Sequence, residues 1–391
     1  MKRVLFVVLA EKGHVHPFIG PAQELRRRGH AVGFYSPSDL RRPLARAGFD
    51  EVFVGATQAP PDGNRGAAFA ALVDDPARLR RWIGEMLVES VPREVERLTA
   101  AAAAFRPHVI VADPMAYAAP IVAERRQIPW AGVSTSLNPV VPDGWTSELI
   151  ATTSALPREE LLARFGVAGA RFRVSDCLSP WLNVAFTTRE LVGEAPDDVL
   201  LAGASVPLDE RGDEAEDVTI EDDRPVVYMA LGSQIWHQPR MFAAVMEGSR
   251  GQPWQLVLAA GDLATELRPP PGVSVKILKY APQLAVLRRA RVMITHGGAN
   301  SVMEALAQGV PLMLTPICND QPHNARFVAG AGAGVVCDLA TASAAEVRAG
   351  LARLCADGAE RAAARRIAAS YHAAGGAPRV AEAIEGLGVR G

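Results

Sequence analysis

Short apolar runs separated by helical patterns recur along this chain, stop, and then start again. "VLFVVLA" (4–10) is a continuous apolar run, as a strand covered on both faces is. "AVGFYS" (31–36), "EVFVGA" (51–56), "HVIVAD" (108–113) and "WAGVST" (130–135) read as further strands. Between them lie helices. Pro17 suits the first turn of one that runs through "ELRRRG" to Gly29, and residues 78–104 suit one long helix. Such alternation commits a chain to a parallel α/β sheet. From 206 to 224 the pattern disappears into "VPLDERGDEAEDVTIEDDR", which is acidic and aperiodic and reads as a linker. It resumes with "PVVYMALGS" (225–233), "WQLVLAAG" (254–261), "VSVKIL" (273–278), "RVMITHGG" (291–298), "PLMLTPI" (311–317) and "GVVCDL" (334–339), which predict a second parallel α/β domain. The tail, 343–388, reads as two or three helices. A length of 391 residues fits two cores of about 150–200 residues each.

A net charge of −2 gives no reason to expect nucleic acid or an anionic membrane surface. No apolar run approaches the roughly 20 residues of a bilayer span. "MKRVLFVVLAEKGH" lacks a small-residue cleavage site and reads better as a buried first strand than as a leader. The four cysteines, Cys177, Cys318, Cys337 and Cys355, are scattered. Reduced thiols, a cytoplasmic location and no zinc site follow as expectations. "GAGAG" (330–334) follows a helix and precedes a strand, so it reads as an αβ turn and not as a dinucleotide fingerprint.

"THGGANSVMEALAQGVPLMLTPICNDQPHNA" (295–325) carries more polar chemistry than a strand–helix–strand–helix unit needs. Gly297 and Gly298 fall in the turn between "RVMI" and the helix "ANSVMEALAQG", where glycine lets the backbone approach a ligand. The helix start then offers free N–H groups and its positive dipole end to a phosphate. Asn300, Ser301 and His296 add side-chain donors. Glu304, one turn on, suits ribose hydroxyls, and Asp320 with Gln321, after the next strand, suits those of a sugar. Taken singly, each is as readily a cap or a solvated surface group. In this order they read as phosphate, ribose, sugar.

The stretch closely resembles the signature of the family 1 nucleotide-sugar glycosyltransferases, which include plant and bacterial natural-product enzymes. "KYAPQLAVL" (279–287) resembles the upstream segment of that family, with Tyr280 and Gln283 at the base and Tyr280 where plant members usually carry Trp. "ALGSQ" (230–234) resembles its Gly-Ser turn, placing Ser233 at the diphosphate. The resemblance implies a GT-B fold: two Rossmann-like parallel α/β domains facing each other across a cleft. Its expected division is an acceptor-binding domain (1–205), a linker (206–223), a nucleotide-sugar domain (224–372) and a C-terminal helix (373–391) that crosses back onto the first domain.

"EKGHVHP" (11–17) follows the first strand, at the sheet rim where ligands of parallel sheets gather. A histidine there suits a general base. His14 and His16 compete for the role; His16 directly precedes Pro17 and reads as a helix-entry residue, and the family pattern Gly-His-x-x-Pro favours His14. Asp113 ends "HVIVAD" on the same rim, where it could stabilise the imidazolium. The resemblance implies an inverting, single-displacement transfer with no cofactor and no essential metal. Glu304 favours UDP over dTDP, and Asp320 with Gln321 favours glucose. Trp82, Met86, Met115, Tyr117 and Trp145 are candidates for an apolar acceptor pocket, although each could equally be core. Expected partners are a nucleotide sugar and a small hydrophobic acceptor such as a polyketide or macrolide, on a monomer or homodimer. A GT-B sugar-nucleotide epimerase and a non-catalytic partner of a transferase are the alternatives.

Overall fold

The computed structural model describes residues 1–55, 65–207, 211, 218, 220 and 223–388. Much of the linker, and residues 56–64 and 389–391, therefore lie outside the described residues.

Strands β1 (Arg3–Val7), β2 (Ala31–Ser36), β3 (Val52–Val54), β4 (Val109–Ala112), β5 (Trp130–Ser134), β6 (Arg171–Arg173), β7 (Asp176–Leu178), β8 (Leu182–Ala185) and β9 (Val199–Leu201) precede the linker. Seven of them form a parallel sheet in the order β3-β2-β1-β4-β5-β8-β9, and β6 with β7 forms a separate antiparallel pair. After the linker, β10 (Val226–Ala230), β11 (Gln255–Ala259), β12 (Val275–Leu278), β13 (Ala290–Thr295), β14 (Leu312–Leu314) and β15 (Gly334–Val336) form a six-stranded parallel sheet in the order β12-β11-β10-β13-β14-β15. The apolar runs are central in both. Leu5, Phe6, Met229, Val292 and Ile294 are wholly inaccessible, as strands packed under helices on both faces require.

Chain order reverses between β1 and β4 in the first sheet and between β10 and β13 in the second. Outside the carboxyl ends of such strand pairs the connections diverge to opposite faces and leave a crevice. The segments after β1, β4, β10 and β13 therefore occupy the two crevices, and these are the segments that carry His14, Asp113, Ser233 and His296.

Two local expectations need correction. The first helix begins at Lys12, not at Pro17, and runs to Arg27 with Pro17 and Pro21 inside it. Buried Val15, Phe18, Ile19, Ala22 and Leu25 hold that helix despite the two missing N–H donors. Residues 78–104 are not one helix. Helices Pro76–Gly84 and Val91–Phe105 flank a π-helical turn, Glu85–Glu89, before Pro92, which cannot donate to a preceding carbonyl. The tail forms helices Ala344–Cys355, Ala359–Ala374 and Gly376–Glu385. The last packs on helix Lys12–Arg27. Lys2 Nζ donates to the Glu385 carbonyl at 2.6 Å, and Arg28 and His30 bond the Glu385 carboxylate at 2.7 and 2.6 Å.

Candidate active site

One cavity of about 710 Å³ is lined both by residues that follow β1 and β5 and by residues that follow β10, β13 and β14. On the first side, His14 sits in the opening turn of helix Lys12–Arg27. Its Nδ1 lies 2.6 Å from Asp113 Oδ2 and 2.9 Å from Thr135 Oγ1. Asp113 is fully buried; it also accepts from Thr135 Oγ1 at 3.2 Å and from the Met115 N–H at 2.9 Å. An ionised carboxylate only accepts, so this network assigns the proton to Nδ1 and leaves Nε2 of a neutral His14 as a base. Burial alone would lower the His14 pKa. The charge and hydrogen bond of Asp113, with the charges of Glu11 and Asp320, outweigh it and raise it to about 9. Asp320 belongs to the other domain, so the two sides are in electrostatic contact. His16 also lines the cavity, from within the helix.

On the second side, His296 follows β13 with its ring held between two glycines. A Cβ on Gly298 would come within 2.5 Å of His296 Nε2, and one on Gly232, where φ is +79°, within 2.8 Å of Cε1. A Cβ at either position would press the ring out of this place. Burial lowers the His296 pKa to about 4, so near neutral pH it is a neutral donor or acceptor and not a cation. Gly297, at φ +90°, turns the chain into helix Ala299–Ala307, whose N-cap is Gly298 with no capping side chain. That helix start and Ser233, exposed after β10, line the cavity. Tyr280 lies under Lys12 Nζ, 3.8 Å from the ring centroid, a contact across the cleft.

The other proposed donor groups are engaged with one another. Asn300 Nδ2 donates to Glu304 Oε1 at 2.9 Å, and Gln283 Nε2 donates to Glu304 Oε2 at 2.7 Å. Ser301 is buried, 3.5 Å from Gln283 Nε2. Gln321 Oε1 accepts from the N–H groups of Ile317 and Cys318, at 2.8 and 3.0 Å, and so shapes the loop after β14. Asp320 accepts from Asn324 at 2.8 Å, and its pKa is raised by burial against that bond.

Trp82, Met86 and Met115 line the cavity. Tyr117 and Trp145 do not. Tyr117 is buried, with its hydroxyl donating to the Ser175 carbonyl at 2.6 Å. Trp145 packs on Phe327, at 4.7 Å between ring centroids, with the Arg326 guanidinium 4.0 Å from its own. Sequence reasoning missed Thr135, Lys12, Arg211, Phe69 and Trp236, all of which line the cavity. Thr135 alone had a usable signal, since it ends "WAGVST" on the rim that carries Asp113. Among the described residues, no three His, Cys, Asp or Glu side chains are placed to hold a metal ion, and no helix is long and apolar enough to cross a membrane.

Comparison with known proteins agrees with this fold. The sequence profile of the UDP-glucoronosyl and UDP-glucosyl transferase family matches residues 196–373. The chain is 30% identical to the elloramycin glycosyltransferase of Streptomyces olivaceus, covering 85% of each protein. It is 29% identical to the oleandomycin glycosyltransferase of Streptomyces antibioticus, over 96% of this chain and 89% of that one. The solved structure of the kitacinnamycin glycosyltransferase superposes with a TM-score of 0.75 at 27% identity, covering 98% of both chains. Two parallel-sheet domains sharing one cleft, with these relatives, make this a GT-B protein, and the chain belongs to the UDP-glucoronosyl and UDP-glucosyl transferase family of glycosyltransferases.

Proposed function

We propose that the chain transfers a hexose, with glucose the first choice, from a UDP- or dTDP-sugar to a hydroxyl of a small hydrophobic natural product such as a polyketide or macrolide. The observation that carries this reading is the placement of His14 and of the His296–helix turn on one cavity. The acceptor hydroxyl gives its proton to His14 Nε2 as its oxygen attacks the anomeric carbon. The bond from that carbon to the diphosphate breaks, its electron pair leaves with the nucleoside diphosphate, and configuration inverts. Asp113 and Thr135 orient the imidazole, and Asp113 balances its charge. The start of helix Ala299–Ala307, Ser233 and neutral His296 face the leaving group and need no divalent ion to do so. Phe69, Trp82, Met86 and Met115 give the other end of the cavity an apolar lining for the acceptor. The relatives named for oleandomycin and elloramycin support an acceptor of that class.

The test incubates the purified protein with UDP-glucose or dTDP-glucose and a panel of polyketide, macrolide and aromatic aglycones, read by mass spectrometry. A product heavier by one hexosyl group, with release of nucleoside diphosphate, is expected. No adduct with any acceptor, together with an isomerised sugar nucleotide, would replace the transferase reading with that of an epimerase.

A further inference from the structure

Arg211 belongs to the connection between the two sheets, yet it is only 4% exposed and lines the same cavity. Its Nη1 donates to Glu304 Oε1 at 2.5 Å. Glu304, itself 2% exposed, also accepts from Asn300 and Gln283. These donors are held in place. Gln283 is tied through its own Oε1 to the Tyr228 hydroxyl at 3.3 Å, and Asn300 stands in the first turn of helix Ala299–Ala307. A carboxylate offers about four acceptor positions. Among the described residues three are taken here. Reading both ribose hydroxyls through Glu304 needs two, and one remains.

We propose that Arg211 sets the nucleotide preference. By holding Oε1 it removes the acceptor that a ribose 2′-hydroxyl would use, so the site takes 2′-deoxynucleoside diphosphates at least as tightly as ribonucleoside diphosphates. A hydroxyl is a neutral donor and does not replace a guanidinium that balances a buried carboxylate, because displacement would leave that charge uncompensated. The single free position on Glu304 serves the 3′-hydroxyl, which both kinds of nucleotide carry. This inference rests on reading the cavity as a nucleotide-sugar site, and it reverses the preference for UDP that Glu304 alone suggests.

The experiment is calorimetric titration of UDP and dUDP into the wild-type protein and into Arg211→Met. These two ligands differ only in the 2′-hydroxyl, so the thymine methyl does not enter. Wild type is expected to bind dUDP as tightly as UDP or tighter. In Arg211→Met the freed oxygen should accept the 2′-hydroxyl, moving the ratio of the two dissociation constants about tenfold toward UDP, or about 1.4 kcal/mol. A wild-type preference for UDP of tenfold or more overturns the proposal, as does a ratio that Arg211→Met leaves unmoved. If Arg211→Met does not fold, the wild-type ratio decides alone. If wild type binds neither nucleotide, the donor-site reading fails and this one falls with it. If both bind and only the ratio disagrees, the donor site stands and Arg211 has no part in nucleotide choice.

Discussion

His296 Nε2 stands where a methyl group on Gly298 would approach to 2.5 Å. A side chain at 298 would therefore have to displace the His296 ring. Gly298→Ala should push the ring out of line or shift the start of helix Ala299–Ala307, while Gly330→Ala, which has nothing within 4 Å of its new Cβ, should be silent. Removing one oriented donor from a developing negative charge typically costs about 10²–10³ in turnover. We expect a loss of that size in Gly298→Ala with its melting temperature close to wild type. Steady-state turnover and thermal melts of the two variants check this. Equal activity in both would mean that the His296 cradle does not serve the leaving group.

The His14–Asp113 pair predicts an alkaline dependence. With a His14 pKa of about 9, the base form is scarce at pH 7, and kcat/KM should climb until about pH 9. Asp176, raised to about 7 by burial despite its bonds to Ser134 and Asn138, titrates below that limb. The sign for stability is opposite. A pKa raised from 6.5 to about 9 on folding stabilises the protein fully below pH 6.5, and that contribution disappears as pH rises through 9. His14→Ala should lower turnover by about 10²–10⁴ and leave nucleotide affinity nearly unchanged. Asp113→Asn should lower turnover and move the kcat/KM limb down in pH. A limb that stays near 9 in Asp113→Asn would separate Asp113 from the titration of His14.

How much of this was legible depended on whether a property is local. The rim positions of His14, Asp113 and His296 follow from where apolar runs end, and those runs are as continuous in sequence as β1, β4 and β13 are buried. The start of the first helix was misplaced because Pro17 is a start signal that the packing of Phe18, Ile19 and Leu25 overrides. Trp82 and Trp145 look alike in sequence, and only the tertiary fold decides which of them reaches the cavity. The Arg211–Glu304 pair spans 93 residues and starts from a stretch with no periodicity, so no pattern in the chain announces it.

Activity should survive a chelator. In the proposed mechanism the negative charge of the leaving diphosphate faces the start of helix Ala299–Ala307, Ser233 and neutral His296, with no divalent ion required. Turnover measured in excess EDTA should match that in added Mg²⁺ or Mn²⁺ within about twofold, well inside the tenfold that 1.4 kcal/mol represents. Abolition by EDTA with full recovery on either ion would replace this account with a metal-bridged diphosphate.

Trp82 and Trp145 should fail differently when shortened. Trp82 meets Phe69 edge to face, with ring centroids 5.3 Å apart, and both line the cavity where we propose that the acceptor binds. Trp82→Ala should raise the acceptor KM while leaving the affinity for nucleoside diphosphate where it was. Trp145 instead covers Phe327 and lies beside His323, 5.8 Å away, on the helix Gln321–Gly330 that begins next to Asp320. His323 is buried, its two ring nitrogens have no hydrogen-bond partner among the described residues, and burial lowers its pKa, so it packs as a neutral ring. Truncating a fully buried Trp costs about 3–5 kcal/mol. Trp145 is only partly buried, so we expect less than that, seen as a lower melting temperature with the acceptor KM little changed. Thermal denaturation and acceptor kinetics on both variants separate the two roles. A Trp145→Ala protein with wild-type stability and a raised acceptor KM would return Trp145 to the acceptor pocket.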